Sequence, residues 1–202
     1  MSSGLHVGFT DDDHRPTTSS HSTVITAPSI TVHHPDSFHP SLSRERFDID
    51  KFMGKWHVVF STLPLWKSRS DVTITYSPLL VSPSSTTIKF DDVVEYRSRS
   101  SPGSPKSRVV GVDTLVATPH DAPEGLMIAT SKWQVLGYDP DQGWAVTYFS
   151  KTLFTPAGLD IYARDPTSIS KEVVDEIKEA TKKLGGEVGT LAEGFFEVPV
   201  TE

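Results

Sequence analysis

The sequence predicts an all-β protein whose strands form an up-and-down barrel or a sandwich. Two observations carry this prediction. Roughly eight or nine short runs rich in β-branched and aromatic residues follow one another from Trp56 to Tyr162. Turn-forming clusters such as 101–105, 140–143 and 156–158 separate these runs, and no helical pattern interrupts them.

Composition restricts the class of protein. The chain has 202 residues, with 36% hydrophobic and 22% charged residues, as expected for one soluble domain with or without a tail. No run of 18 apolar residues is present, so we expect no membrane span. Cysteine is absent, which excludes disulfides, thiolate nucleophiles and cysteine-based metal centres. A net charge of −7 argues against a nucleic-acid partner.

The N-terminal segment 1–46 differs from the rest and is predicted to be a flexible arm. It is rich in Ser, Thr, Pro and His, and it offers too little apolar area to offset its ordering entropy. Six of the eight histidines lie here, which leaves a metal site and a solvated arm as alternatives. We favour the arm and predict no metal. The short β-prone pieces 24–26 and 30–32 are able to order against the body.

The elements of the body, residues 47–202, follow in order. The predicted strands are 56–60, 72–76, 86–90, 93–96, 109–116, 125–130, 133–138, 145–149 and 159–162. One helix, about 170–184, is then predicted, with Ser170 as N-cap and an apolar stripe of period 3.6. Gly185-Gly186 ends this helix, and 195–198 is a short closing strand.

Four segments, in this order, resemble the motifs of the lipocalin family. They are 47–56 with its Gly-x-Trp, 72–77, 135–146 with its strand-turn-strand, and 159–166 with its terminal Arg. Order and spacing are most similar to the bacterial outer-membrane type, and the likeness covers about three quarters of the chain. It implies an eight-stranded antiparallel up-and-down calycin barrel with one C-terminal helix. It also implies structural roles for Gly54, Trp56 and Arg164, with Arg164 lying across the Trp56 ring at the closed end.

The chain departs from the family pattern in ways that bear on its location. The bacterial members carry a signal and a lipid-attachment Cys, and most animal members are secreted with disulfides. Here the N-terminus does not read as a secretory signal and Cys is absent, so we expect a cytoplasmic protein. The chain also looks like small lipocalin-like proteins of fungal polyketide pathways, some of which are pericyclases.

This second resemblance implies a function in secondary-metabolite biosynthesis. The protein would be a cofactor-free cyclase or isomerase of the Diels–Alderase type that folds a linear polyene precursor. The alternative is a non-catalytic carrier or storage protein for a lipid, pigment or haem-like ligand. Either function needs a hydrophobic small molecule as partner, for example a polyketide, and a monomer or homodimer is expected.

Strand alternation from Trp56 and Arg164, together with the family resemblance for the segment 72–77, predicts which strand side chains face the barrel interior. The predicted apolar or neutral ligand contacts are Val58, Phe60, Leu65, Trp66, Ile74, Leu136, Thr147 and Phe149. The predicted catalytic contacts are Asp160, Gln134, Tyr162 and Tyr76. A shift of one residue in register would invert the assignment for any strand.

Alternatives remain open for the polar residues and for the loop 62–66. Asp160 is either a general acid or base, or a carboxylate near the mouth that is solvated or paired with Lys132 or Lys151. Gln134 and the tyrosines are possible donors to a substrate carbonyl, and each tyrosine is alternatively an ordinary core residue. The loop is either a hydrophobic gate or a segment packed on its own barrel.

Overall fold

The structure, a computed structural model, describes residues 30–37, 39–43, 46–79, 88–101, 103–117, 126–128 and 133–201. The described residues form the strands β1 (Gly54–Ser61), β2 (Arg69–Pro78), β3 (Ile88–Ser98), β4 (Ser107–Ala117), β5 (Leu126–Ile128), β6 (Trp133–Asp139), β7 (Trp144–Phe149), β8 (Gly158–Ala163) and β9 (Phe196–Glu197). The α-helices are α1 (Ile49–Phe52), α2 (Lys171–Lys183) and α3 (Gly186–Ala192). Two 3₁₀ turns cover Pro40–Leu42 and Pro64–Ser68.

Strands β1 to β8 form a closed antiparallel ring. Each strand pairs with the next one along the chain, and β8 returns to pair with β1. The first half of β1 pairs with β2 from Gly54 to His57. Its last residues, Phe60 and Ser61, pair instead with β9. The predicted all-β barrel is therefore confirmed, and residues 88–90 and 93–96 of two predicted strands belong to one strand, β3, while residues 86–87 lie outside the described part of the chain.

The barrel wall separates two apolar clusters. Inside lies an aromatic-rich cluster that includes Phe52, Trp56, Tyr76, Phe90 and Trp133. Outside, residues of β6, β7 and β8 pack against the C-terminal helices in a second cluster. This division follows from the period-two alternation of side chains along each strand.

The predicted C-terminal helix is confirmed as α2. Ser170 Oγ accepts a hydrogen bond from the Val173 amide at 3.2 Å, which caps the first turn. Ile177 is buried in the outer cluster, and the other residues of the stripe, Val173, Ala180 and Leu184, pack against that cluster. The chain passes through Gly185 at a φ of 69° and then enters the shorter helix α3. None of the helices in the described part of the chain is long and apolar enough to cross a membrane.

Part of the predicted arm lies along the outside of β6. The His33 amide donates to the Leu136 carbonyl at 2.8 Å, and Val32 is buried against the outer cluster. This agrees with the β-prone piece 30–32, which orders against the body. Residues 1–29, for which the arm was also predicted, lie outside the described part of the chain.

Candidate functional site

One end of the barrel is closed by Trp56 and Arg164. The Trp56 side chain is fully buried, and the Arg164 guanidinium lies 3.6 Å from the centre of its ring. The guanidinium also donates to the main-chain carbonyls of Lys51, Phe52, Met53 and Lys55. Gly54 adopts a φ of 94°, and a Cβ there would lie 3.3 Å from the guanidinium. This is the contact that the resemblance implies, and it leaves the opposite end as the entrance.

A cavity of about 180 Å³ lies inside the barrel above the aromatic cluster. Its walls are mostly apolar or aromatic, and its lining residues are Leu63, Leu65, Trp66, Ile74, Tyr76, Asp92, Val94, Trp133, Phe149, Thr155 and Tyr162. The rings of Tyr76 and Trp133 stack at 5.4 Å, and those of Trp133 and Phe149 at 6.2 Å. These three stacked aromatic rings therefore form one side of the cavity.

The segment 63–68, called the lid below, covers the entrance. Leu63 packs on Gly158, where a Cβ would lie 2.3 Å from the Leu63 side chain, so only glycine leaves room. Within the lid, Trp66 is buried and lines the cavity, whereas Leu65, which also lines it, is 43% exposed. The lid therefore presents apolar side chains to the interior.

Asp160 ties the lid to the barrel. The Ser61 hydroxyl lies 2.5 Å from Asp160 Oδ1, and the Trp66 indole N–H donates to Oδ2 at 3.3 Å. The Leu63 amide in turn donates to the Ser61 hydroxyl at 2.9 Å. Both carboxyl oxygens of Asp160 thus hold the lid, and Asp160 is not among the residues that line the cavity.

A second, outer pocket of about 310 Å³ borders the lid. It is lined by Leu65, Trp66, Arg69, Val94, Tyr96 and Val109. Leu65, Trp66 and Val94 border both spaces. Movement of the lid would therefore join the inner cavity to the outer pocket.

Two carboxyl groups face the interior from neighbouring strands. Asp92 in β3 lines the cavity, and a side-chain hydrogen bond joins it to Asp113 in β4. Asp113 Oδ2 also accepts a hydrogen bond from the Trp133 indole N–H at 3.1 Å. The Tyr162 hydroxyl interacts with the Tyr76 and Thr147 hydroxyls, whereas the buried Oδ1 atom of Asp92 has no hydrogen-bond partner. Polar atoms of this kind are costly to bury alone, so they mark positions where a ligand gains hydrogen bonds.

Burial sets the protonation of these groups. Burial and the neighbouring Asp113 raise the pKa of Asp92 to about 7. Burial also raises the pKa of Asp160 to about 7, against the opposing effect of its Ser61 and Trp66 donors. Burial raises the pKa of Tyr76 and of Tyr162 well above the ordinary tyrosine value. The cavity therefore combines neutral phenols with a carboxyl group that exchanges a proton near neutral pH.

Two solved structures resemble the chain over most of its length. The cockroach allergen Per a 4 has a TM-score of 0.51 and 15% identity, covering 82% of this chain and 96% of its own. Insecticyanin from the tobacco hornworm Manduca sexta has a TM-score of 0.50 and 13% identity, covering 85% of this chain and 90% of its own. The protein has the lipocalin fold. The sequence matches no protein-family model and none of the curated proteins.

Most of the residues predicted to face the interior of the lipocalin barrel do so. Six of them line the inner cavity: Leu65, Trp66, Ile74, Tyr76, Phe149 and Tyr162. Three others are fully buried but are not lining residues: Val58, Thr147 and Asp160. Val58 belongs to the inner aromatic cluster, close to Trp56.

The predicted inward orientation of Phe60 is wrong. A β-bulge between Val58 and Phe60 shifts the alternation of β1 by one residue. Ser61 instead of Phe60 then pairs with Asp160 on the inner face. Phe60 packs outside, where the Lys178 ammonium lies 3.4 Å from the centre of its ring.

The predicted positions of Gln134 and Leu136 are also wrong, for the same physical reason. A bulge between Val135 and Gly137 shifts the alternation of β6 by one residue. In a regular strand, Leu136 and Gln134 would share the face of Tyr138, but the bulge places both on the outer face. Gln134 Nε2 donates to Asp36 Oδ1 at 2.8 Å, under the segment that lies along β6. Leu136 packs in the outer cluster, and neither residue can contact a ligand inside.

The prediction from sequence missed Asp92, Asp113 and Trp133. For Asp92 a signal was present, because Phe90, Val94 and Tyr96 occupy the alternate positions of the same run. That alternation places Asp92 on the apolar face. No comparable signal brings Asp113 beside it, since the register of β3 on β4 decides that contact.

Proposed function

We propose that the protein binds a small, largely hydrophobic molecule inside its barrel. The observation that carries the proposal is the inner cavity itself, which is covered by the lid and has aromatic walls with polar atoms at few points. Pockets for small molecules have this composition. An apolar cavity of about 150 Å³ is large enough for benzene, so the inner cavity suits a molecule with one ring.

The outer pocket and the lid supply a route for the ligand. Trp66 and Leu65 separate the two spaces, and one indole hydrogen bond at 3.3 Å holds Trp66 in place. When the lid moves, the joined space falls within the range of about 300–1,000 Å³ that is typical of ligand pockets. Larger or longer molecules would then have access.

A variant that fills the cavity tests this proposal. Val94→Phe is expected to lower the affinity for the neutral probe 2-phenylethanol more than tenfold, because the added ring occupies the space of the ligand. The matched control is Val93→Phe on the outer face of the same strand, which should leave affinity unchanged. Binding is measured by tryptophan fluorescence and calorimetry, with thermal unfolding as a check on folding. Equal affinity of both variants would contradict binding in this cavity.

We propose, as a second candidate, that the cavity also converts its ligand, as a cofactor-free isomerase or cyclase acting on a linear polyene. Asp92 favours this candidate, because its carboxyl group exchanges a proton near neutral pH in contact with an apolar space. The carboxyl would give its proton to one atom of the substrate and recover a proton from another, so the product has the mass of the substrate. The Tyr76 and Tyr162 hydroxyls would hold the reacting conformer.

Turnover separates this candidate from a carrier or storage protein. The chain is incubated at well below the concentration of a polyene precursor and followed by liquid chromatography–mass spectrometry. A same-mass product in excess of the protein is expected, with turnover at least tenfold lower for Asp92→Asn and unchanged for Asp91→Asn. General acid–base catalysis contributes typically 10²–10⁴-fold, so a tenfold loss is a low threshold. A ligand retained near one per chain, without product, would contradict catalysis.

A further inference from the structure

The inner cavity carries acidic groups on one side and, among its described lining residues, no basic group. Asp92 is the carboxyl group that reaches the cavity. The titratable groups that face it are Asp113 from β4, Tyr76 from β2 and Tyr162 from β8. Burial and the carboxyl of Asp113 beside it raise the pKa of Asp92 to about 7, so above that pH Asp92 places a negative charge in the cavity.

A neutral ligand would leave that charge without compensation in an apolar space. A protonated amine would compensate it and would donate N–H groups to Asp92 Oδ1 and to the Tyr162 hydroxyl oxygen. Both of these atoms are buried, and Asp92 Oδ1 has no hydrogen-bond partner in the structure. The hydrogen-bonding capacity and the charge of the cavity therefore match the same chemical group.

The aromatic side of the cavity favours the same ligand. Trp133, Tyr76 and Phe149 present stacked rings to the space that Asp92 borders. The faces of aromatic rings attract cations, and the attraction strengthens where water is excluded. Trp133 is held in its orientation by the hydrogen bond to Asp113, so one carboxyl group positions the ring while the other faces the ligand.

We propose that the inner cavity is a site for a small organic cation, a protonated amine on a single-ring or short aliphatic body. This inference rests on the proposed binding function and names the class of its ligand. The ammonium group lies against Asp92, and the apolar body lies among Ile74, Trp133 and Phe149. The size of the cavity, about 180 Å³, limits the body to about one ring with the lid in place.

Two probes of the same shape test the inference. They are 2-phenylethylamine, which is a cation at neutral pH, and 2-phenylethanol, which is neutral. We expect the amine to bind at least tenfold more tightly at about pH 8. Its affinity should fall toward about pH 6, because the amine binds best when Asp92 is ionised and burial holds the pKa of Asp92 at about 7. The affinity of the alcohol should not fall in this way.

Three variants locate the effect. Asp92→Asn keeps the shape of the side chain and should remove the preference for the amine while it retains binding of the alcohol. Asp91→Asn makes the same charge change on the outer face of β3 and should alter neither affinity. Asp113→Asn removes the carboxyl that helps to raise the pKa of Asp92, so the loss of amine affinity should move to lower pH.

The outcomes distinguish the two proposals. If the alcohol binds at least as tightly as the amine, the cation site is wrong and the binding function stands. If neither probe binds, the binding function fails together with the cation site. If the amine is preferred by wild type and by Asp92→Asn to the same extent, the cation binds elsewhere and the inference is overturned.

Discussion

Replacing Arg164 by alanine is expected to lower the free energy of unfolding by about 3 kcal/mol. The substitution removes the contact with Trp56 at 3.6 Å and the hydrogen bonds to the carbonyls of α1 and the start of β1. Hydrogen bonds from a charged donor contribute about 1.5–3 kcal/mol each when buried, and less here because the guanidinium is partly exposed. Equilibrium unfolding in urea measures the loss.

Arg164→Lys separates charge from geometry. Lysine keeps the positive charge but lacks the planar group that reaches several carbonyls at once, so we expect about half of the loss. An exposed substitution of the same kind, Lys183→Ala in the last turn of α2, should change stability by less than about 0.5 kcal/mol. A loss below about 1 kcal/mol for Arg164→Ala would mean that the closed end is held by Trp56 packing alone.

The second large effect concerns pH. Because burial raises the pKa of Asp160 from 3.8 to about 7, the folded state binds this proton more tightly than the unfolded state. The associated stability is fully present below about pH 4 and is lost as the pH rises through about 7. Each unit of pKa shift corresponds to about 1.4 kcal/mol, so the loss of stability is at most about 4 kcal/mol. Asp92, with its pKa also raised to about 7, titrates in the same window.

Asp160→Asn isolates the contribution of Asp160. The amide keeps an acceptor for the Trp66 indole and a donor for the Ser61 hydroxyl, but it cannot ionise. We expect this variant to be more stable than wild type at about pH 8 by roughly 1–3 kcal/mol, with a flatter dependence on pH. Asp141→Asn, at an exposed turn, should follow wild type at every pH. Parallel pH profiles for wild type and Asp160→Asn would show that the buried carboxyl does not titrate in this range.

This result would also clarify the role of Asp160 at the site. Sequence reasoning proposed it as a catalytic acid or base, whereas its oxygens hold Ser61 and Trp66. A carboxyl that ties down the lid acts on entry of the ligand and not on the ligand itself. We therefore expect Asp160→Ala to change the rates at which a probe enters and leaves the cavity. The hydrogen bonds that the bound probe makes inside the cavity should change less.

The sequence by itself determined the architecture. Gly54-x-Trp56 and Arg164 mark the closed end of the barrel, and their side chains meet because the strands that carry them are neighbours. The apolar stripe of α2 has the period of a helix and predicted both the helix and its buried face. These signals are local, since each depends on residues within one element or on a motif of a few positions.

The tertiary structure alone decided which side chains form the site. The bulges in β1 and β6 shift the alternation, so Phe60, Gln134 and Leu136 lie outside although a regular strand would place them inside. A bulge depends on pairing with a distant strand, so the order of residues along one strand does not reveal it. Asp92 and Asp113 meet for the same reason. They are separated along the chain, and the register of β3 on β4 brings the two carboxyl groups together beside the cavity.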